Sequence, residues 1–377
     1  MLVFNNILPK DDITRELILF AETRAVTRTV FKEYIVNLIA KDSNALSVIC
    51  EKGDSPGQSL INMAKSDIEE VFKTDFLFDY IPSNIEKNMK SVNFPEYNAK
   101  IQELCEINAP EKFLDGLIDF YKTFGGGENN GYIAFKYNAE KNKLSGIDIS
   151  GIDKCDINDL YCIDYQKKMI CENTELFLFN NSGDKKANNV LLAGDSGTGK
   201  STLVKSVLGK YYPQGLRLIE LDKKEIIYLE KIINEVKNKN LKYIVFIDDL
   251  SFETDETEYK AIKSIIDGKI IKPPNNILIY ATSNRKHLIR ETWRDRTADE
   301  VNINDTKNEL LSLSERFGLK LAFTAFTKQE YLYIVENMLK SKNITAGIDE
   351  LKEKSLVFAL KYNGFSGRTA KQFINSL

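Results

Sequence analysis

The residues from Gly194 to Ser201 have the types and the spacing of a loop that binds phosphate, and they read Gly-Asp-Ser-Gly-Thr-Gly-Lys-Ser. Glycines at these positions let successive backbone N–H groups turn toward one point, where they can donate hydrogen bonds to phosphate oxygens. The Lys200 ammonium would contact the outer phosphates, and the Ser201 hydroxyl would bind a magnesium ion. The residues predicted to bind phosphate are Gly194, Asp195, Ser196, Gly197, Thr198, Gly199, Lys200, Ser201 and Thr202.

The segments on either side of this loop would position it. Residues 189–193 form a short apolar run typical of a buried strand, and residues 202–208 carry apolar side chains at helical spacing. A helix that begins at the loop adds a partial positive charge where the phosphates would lie. The alternative is a chance match in a glycine-rich turn. A chance match would not be expected to have both a strand before it and a helix after it. The sequence therefore predicts a site for a nucleoside triphosphate and Mg²⁺.

Two adjacent acids are candidates for the magnesium ligand and for the group that orients water. Asp248 follows the apolar run 243–247, so it is expected at the end of a strand, where its carboxylate would hold Mg²⁺ together with Ser201. Asp249 takes the position expected for the group that polarises the attacking water, and Glu253 is the reserve candidate. Either of these last two acids could instead cap the next helix.

A polar residue after another predicted strand could complete the site. Asn284 follows the apolar run 277–282, and its amide could orient the water or contact the terminal phosphate. The alternative is an asparagine that satisfies backbone groups of a turn. His287, the single histidine of the chain, is interpreted as structural.

Composition, cysteine spacing and net charge limit the classes of protein to which the chain could belong. The 377 residues are 43% hydrophobic and 28% charged, which is ordinary for a globular chain of two or three domains. No apolar run approaches the ~20 residues that span a bilayer, and no signal peptide is expected. The five cysteines are odd in number and lack CxxC spacing, so a reducing cytoplasm is expected. A net charge of −3 gives no support to DNA binding by the whole chain.

The chain divides into three predicted regions. Residues 1–150 are expected to form a mainly helical domain with a hairpin near 132–149, and residues 151–327 an α/β core. Residues 328–377 are expected to be helical. Strands and helices alternate after residue 188, which favours a parallel sheet covered on both faces. The predicted core elements are strands at 189–193, 217–221, 243–247, 277–282 and 319–323 and helices at 224–239 and 256–267.

Taken together, the loop, the two acids, Asn284 and the terminal helices resemble the AAA+ ATPases. More narrowly, the chain resembles an uncharacterised bacterial AAA+ family that has a helical N-terminal region of its own. The segments that carry this likeness are 248–253 (Asp-Asp-Leu-Ser-Phe-Glu), 280–284, 313–318 and 366–370 (Ser-Gly-Arg-Thr-Ala). The resemblance covers about residues 155–377. It implies a three-layer αβα P-loop NTPase fold with strand order 5-1-4-3-2, a C-terminal helical lid, ATP between core and lid, and adenine near 160–163.

The same resemblance assigns roles to two arginines. Arg316, just before the fifth strand, takes the place of an arginine finger that reaches the ATP of a neighbouring subunit. Arg368 begins the last helix, where the lid contributes its sensor 2 arginine. Both would neutralise charge that develops on the γ-phosphate. Each could instead form an ordinary ion pair, and other arginines compete for the finger role: Arg285, Arg290, Arg294 and Arg296.

The expected function is that of a cytoplasmic, homo-oligomeric AAA+ ATPase that uses MgATP to change its assembly or its grip on a protein or nucleoprotein partner. The alternative is a slow nucleotide-gated switch or scaffold with little turnover. A small-molecule kinase is less well supported, because no phosphoacceptor site is visible. Residues 222–226 lack the aromatic–apolar–Gly pore loop of protein-threading members, which disfavours an unfoldase.

Overall fold

The computed structural model divides the chain into two compact units. The first comprises Met1–Ile152 and Glu235–Lys242, and the second comprises Asp153–Asn234 and Tyr243–Leu377. Within these units, the structure describes residues 4, 14–24, 30–73, 94–127, 129–147, 155–179, 186–250, 262, 274–284, 314–344, 347–362 and 364–377.

Helices dominate the described part of the first unit. Prolines at the first helical positions start α5 and α6, where a missing N–H costs no hydrogen bond. Tyr97, Phe120 and Phe124 form an aromatic core, with ring centroids 5.0 to 5.5 Å apart. The helices are α1 (Thr14–Arg24), α2 (Val30–Lys41), α3 (Ala45–Glu51), α4 (Gln58–Phe72), α5 (Pro95–Glu106) and α6 (Pro110–Phe124).

The first unit also contains an antiparallel hairpin of β1 (Ala134–Asn138) and β2 (Lys143–Gly146). This hairpin lies within residues 132–149, where the sequence predicted one. Asn142 turns the chain with a φ of 50°, a left-handed conformation that asparagine tolerates better than most residues.

Residues 235–242 belong to the first unit. The prediction instead placed them in the α/β core, residues 151–327. The Asn240 N–H donates to the Glu51 carbonyl oxygen at 2.5 Å, and the Lys239 ammonium lies 3.4 Å from the Glu51 carboxylate. The Leu144 N–H donates to the Glu235 carboxylate at 3.2 Å. The unit is therefore assembled from segments that are distant in sequence.

A largely parallel sheet forms the centre of the second unit. Its strands lie in the order β4-β5-β6-β3-β7, and every residue of β3 and β6 is buried. The pairs β3–β6, β3–β7 and β5–β6 are parallel. The strands are β3 (Val190–Gly194), β4 (Leu216–Leu221), β5 (Lys242–Ile247), β6 (Ile277–Ser283) and β7 (Leu319–Phe323). The predicted α/β class with a mostly parallel sheet is confirmed.

The helices that lie wholly or mainly in the second unit are α7 (Asp164–Phe179), α8 (Lys200–Tyr211), α9 (Leu229–Val236), α10 (Lys328–Ser341), α11 (Ile348–Lys361) and α12 (Gly367–Asn375). The structure differs from the single helix predicted over 224–239. A capping box between Asp222 and Glu225 starts a 3₁₀ helix at Lys223–Tyr228, and α9 follows it. The predicted helix 256–267 lies outside the described residues except at Ile262. No described helix has the length and apolarity needed to cross a membrane.

Helix α7 is tied to the sheet through the buried hydroxyl of Tyr280. Asn173 donates to this oxygen at 3.1 Å, and the Thr174 hydroxyl lies 2.9 Å from it. Burial raises the pKa of Tyr280 to about 12, so the phenol stays neutral and needs hydrogen-bond partners.

We predict that a fragment of residues 153–377 is more stable than a fragment of residues 186–377. The shorter fragment lacks α7 and loses the hydrogen bonds of the Tyr280 hydroxyl with Asn173 and Thr174, each worth roughly 0.5–1.5 kcal/mol. Limited proteolysis followed by thermal unfolding of both fragments measures the difference. Equal melting temperatures, or no stable fragment at all, would contradict the prediction.

Candidate functional site

A cavity of about 770 Å³ lies within the second unit, where β3, β5 and β6 end. The loop after β3, the start of α8 and the two strand ends line one part of it, and α10 and α12 line another. Most predicted site residues meet here. Those that line the cavity are Ser196, Gly197, Gly199, Lys200, Ser201, Thr202, Asp248, Asp249, Asn284 and Arg368.

Glycines allow the loop after β3 to fit closely between its neighbours. Gly194 has a φ of 142°, and a Cβ there would lie 1.8 Å from the carbonyl oxygen of Phe323. Gly197 has a φ of 74°, and a Cβ there would lie 2.8 Å from the Cβ of Ser366. The Gly367 N–H donates to the Gly197 carbonyl oxygen at 3.0 Å, so the start of α12 contacts the loop directly.

Three predicted loop residues do not line the cavity: Gly194, Asp195 and Thr198. Asp195 and Thr198 instead stabilise the loop. The Thr198 hydroxyl donates to the Asp195 carbonyl oxygen at 2.7 Å, and the Asp195 carboxylate accepts from the Ala325 N–H at 2.7 Å. Asp195 and Thr198 therefore contribute to the site by fixing the shape of the loop.

Lys200 is the buried cation of the site, with only 6% of its surface exposed. Its ammonium donates to the carbonyl oxygens of Gly194 and Asp195 at 3.0 and 2.7 Å and to the Asn284 amide oxygen at 3.0 Å. Burial lowers the pKa of Lys200. A negatively charged ligand such as a phosphate would favour the charged ammonium and oppose this effect.

Ser201 and Asp248 provide a pair of oxygen donors. The Ser201 hydroxyl donates to the Asp248 carboxylate at 2.6 Å. Hydroxyl and carboxylate oxygens suit Mg²⁺, which usually takes its other ligands from water and phosphate. In the described part of the chain, no group of three or more His, Cys, Asp or Glu side chains could hold a metal ion. These two residues therefore fit a magnesium that is bound together with phosphate, and they do not form a complete protein cage.

Asn284 connects Lys200 to Asp249. The amide oxygen of Asn284 accepts from Lys200, and its amide nitrogen donates to the Asp249 carboxylate at 2.9 Å. Asp249 has a φ of 53°, so its backbone is in the left-handed region. Both residues that were predicted to orient water are thus in contact with each other and next to the buried lysine.

The two predicted arginines occupy different positions. Arg368, the second residue of α12, lines the cavity. Arg316 is half-buried shortly before β7 and is not among the residues that line the cavity. Glu253 and four competing arginines lie outside the described residues: Arg285, Arg290, Arg294 and Arg296.

The sequence interpretation missed several residues that line the cavity. Thr282, on β6, lies beside the two acids, and its role depends on which strands are neighbours. Met338 and Ile374, from α10 and α12, also line the cavity, and neither had a signal in the sequence. Leu160, near which the resemblance places adenine, lines the cavity as well.

Comparison with known proteins identifies a family. Residues 130–377 match the family model described as "Protein of unknown function (DUF815)". The match covers more than half of the chain, and the chain belongs to this family. No curated protein matches it. The matched segment includes every residue assigned to the cavity above.

Proposed function

We propose that this protein is an AAA+ ATPase that binds and hydrolyses MgATP to drive conformational or assembly changes on a protein or nucleoprotein partner. The observation that carries the proposal is the convergence of Lys200, Ser201 and Asp248 in one cavity, with the serine and aspartate oxygens 2.6 Å apart. These residues come from the loop after one strand and from the end of another. Their types are those required for a phosphate and a magnesium ion at one point.

The arrangement of the second unit supports the proposal. The strand order β4-β5-β6-β3-β7, numbered within this unit, reads 5-1-4-3-2 from its other edge, as the resemblance implies. Ligands of open parallel sheets bind at the carboxyl ends of the strands, which is where the cavity lies. Helices α10 to α12 would be the lid, and the hydrogen bond from the Gly367 N–H to the Gly197 carbonyl oxygen supports this assignment.

Each side chain of the cavity would have its own role in binding or hydrolysing ATP. Lys200 and the loop N–H groups would hold the phosphates, while Ser201 and Asp248 would hold magnesium. A magnesium ion held by Ser201 and Asp248 would supply positive charge that offsets part of the charge of the phosphates. Asp249 and Asn284 would orient a water molecule, and Arg368 would contact the terminal phosphate from the lid side of the cavity.

A slow nucleotide-gated switch is the second candidate, and one contact favours it. The Asp249 carboxylate accepts a hydrogen bond from Asn284 at 2.9 Å, which occupies one oxygen of the group that would polarise water. The chain also has an aspartate where the AAA+ proteins that it resembles usually have the longer glutamate. Steady-state phosphate release, with and without DNA, separates a turning-over ATPase from a switch.

Two kinds of partner are expected: further copies of this chain, and a protein or nucleoprotein on which it acts. An arginine finger at Arg316 would require a second copy of the chain, so a homo-oligomer is proposed. The protein or nucleoprotein partner can be captured with Asp249→Asn, which should hold ATP without hydrolysing it. A pull-down with this variant in ATP that returns the same proteins as one without nucleotide would count against a nucleotide-dependent partner.

We predict that Asp248→Asn raises the magnesium concentration needed for half-maximal ATP binding or turnover by about tenfold or more, because a charged ligand becomes a neutral amide. The matched control is Asp119→Asn, which removes the same charge from an exposed position on α6. Titration of Mg²⁺ at fixed fluorescent ATP measures the change. Equal magnesium dependence in the variant and the wild type would place the metal elsewhere.

A further inference from the structure

Thr282 is a buried residue of β6 that contacts the turn carrying both acids. Only 2% of its surface is exposed. Strand β6 pairs in parallel with β5, and Ile247 lies opposite Ala281. One residue further along each strand, Thr282 lies beside Asp248. The hydroxyl of Thr282 is therefore at the point where β5 ends.

Three hydrogen bonds join Thr282 to the turn. Its hydroxyl donates to the Asp248 carboxylate at 2.5 Å and accepts from the Asp249 N–H at 2.9 Å. Its carbonyl oxygen accepts from the Leu250 N–H at 2.6 Å. One residue therefore fixes a side chain and two backbone groups of consecutive residues.

The Asp248 oxygen that accepts from Thr282 also accepts from Ser201, at 2.6 Å. The Ser201 hydroxyl can direct a lone pair toward a metal ion while its proton still points to the carboxylate. The Thr282 hydroxyl is the second donor to this oxygen, and it comes from the neighbouring strand and not from the phosphate loop. Thr282 would therefore hold the carboxylate orientation independently of the loop.

The same hydroxyl stabilises an uncommon backbone conformation. Asp249 has a φ of 53°, which is costly for most residues other than glycine, asparagine and aspartate. In this conformation the Asp249 carboxylate reaches the Asn284 amide. An aspartate here is thus matched to the turn that Thr282 holds, whereas a glutamate would bring a longer side chain and a lower tolerance for left-handed backbone.

We propose that Thr282 is a positioning residue that orients Asp248 toward magnesium and holds Asp249 in its left-handed turn. The inference rests on the proposed function, because it concerns the same magnesium and nucleotide site. It goes beyond that function by assigning the geometry of the two acids to one hydroxyl on the neighbouring strand.

The test uses the full-length chain and three variants. Thr282→Val keeps the shape of the side chain but removes the hydroxyl, and Thr282→Ser keeps the hydroxyl. Thr174→Val is the matched control, since Thr174 is fully buried and its hydroxyl hydrogen bonds within α7 and to Tyr280 of the same strand β6. The probe is a fluorescent ATP analogue, titrated without magnesium and then with increasing Mg²⁺.

We expect Thr282→Val to raise the half-saturating Mg²⁺ concentration by about 10- to 100-fold, the range found when partners of metal ligands are removed. Its magnesium-free nucleotide affinity should stay within about twofold of wild type, since the phosphate loop is untouched. Where turnover is measurable, kcat should fall more than KM rises. Thr282→Ser should restore the magnesium dependence, and Thr174→Val should lower only the melting temperature.

Two results would overturn the inference. Thr282→Val with wild-type magnesium dependence would show that the hydroxyl does not position Asp248. Thr282→Ser as defective as Thr282→Val would assign the effect to packing. A wild-type protein without magnesium-dependent ATP binding would instead refute the proposed function itself, and the role of Thr282 with it, so the two failures are distinguishable.

Discussion

Lys200→Ala is expected to lower the affinity of the folded protein for ATP by at least about 100-fold, because two charge-assisted hydrogen bonds to phosphate are worth roughly 3 kcal/mol or more. Lys200 is the buried cation at the start of α8, and its ammonium already lies among the loop carbonyls and Asn284. Titration of a fluorescent ATP analogue measures the loss.

Lys205→Ala is the matched control for this prediction. Lys205 lies on the same helix, but its ammonium pairs with Glu220 at 3.0 Å and does not line the cavity. It should bind ATP as the wild type does. Unchanged affinity in a folded Lys200→Ala protein would refute the assignment of the loop to phosphate.

Arg316→Ala should keep ATP binding and lose most turnover, by roughly 10³-fold, because an arginine finger acts mainly in the transition state. Arg316 precedes β7 and is not among the residues lining the cavity, so a role in hydrolysis requires that it reach the ATP of another copy. Steady-state phosphate release and ATP binding, measured on the same preparation, separate the two effects.

Mixing two inactive variants tests whether the site is completed between copies. A subunit with intact Lys200 can meet a neighbour with intact Arg316, so Arg316→Ala mixed with Lys200→Ala should regain part of the activity. Activity per subunit should also rise with protein concentration. An inactive mixture together with activity independent of concentration would make Arg316 a structural residue.

The sequence predicts the ends of a strand or helix well where residues next to the boundary determine them. Strand β7 was predicted over the same residues that the structure shows, because the segment Leu-Lys-Leu-Ala-Phe begins directly after a glycine. Helix α6 ends at Phe124, directly before Gly125, whose φ of 79° favours glycine. In both cases the determining signal lies within a few residues of the boundary.

The features that could not be predicted depend on contacts between distant segments. Residues 235–242 belong to the first unit because Asn240 and Lys239 contact Glu51, almost 190 positions away. No local pattern marks such a pair. The predicted helix 224–239 missed the 3₁₀ helix for a different reason, since a capping box fixes where a helix begins but not how tightly its first turns are wound.

The candidate site was predictable as residue types and only partly as geometry. Asp248 and Asn284 could be placed at strand ends because polar residues there follow apolar runs. Thr282 could not be recognised, because threonine within an apolar strand is also an ordinary strand former. Its hydroxyl gains a role only when β6 lies beside β5, and that neighbour relation is a property of the sheet.

The most direct test of the proposed function is a single binding and conversion measurement on the wild-type chain. Radiolabelled ATP is mixed with protein in excess, with Mg²⁺ or with a chelator, and the bound fraction is separated and resolved into ATP and ADP. If the proposed function is right, label is retained on the protein in Mg²⁺ and converted to ADP, rapidly for an ATPase and slowly for a switch. Label that remains free as ATP at every protein concentration, with the protein folded, would contradict it.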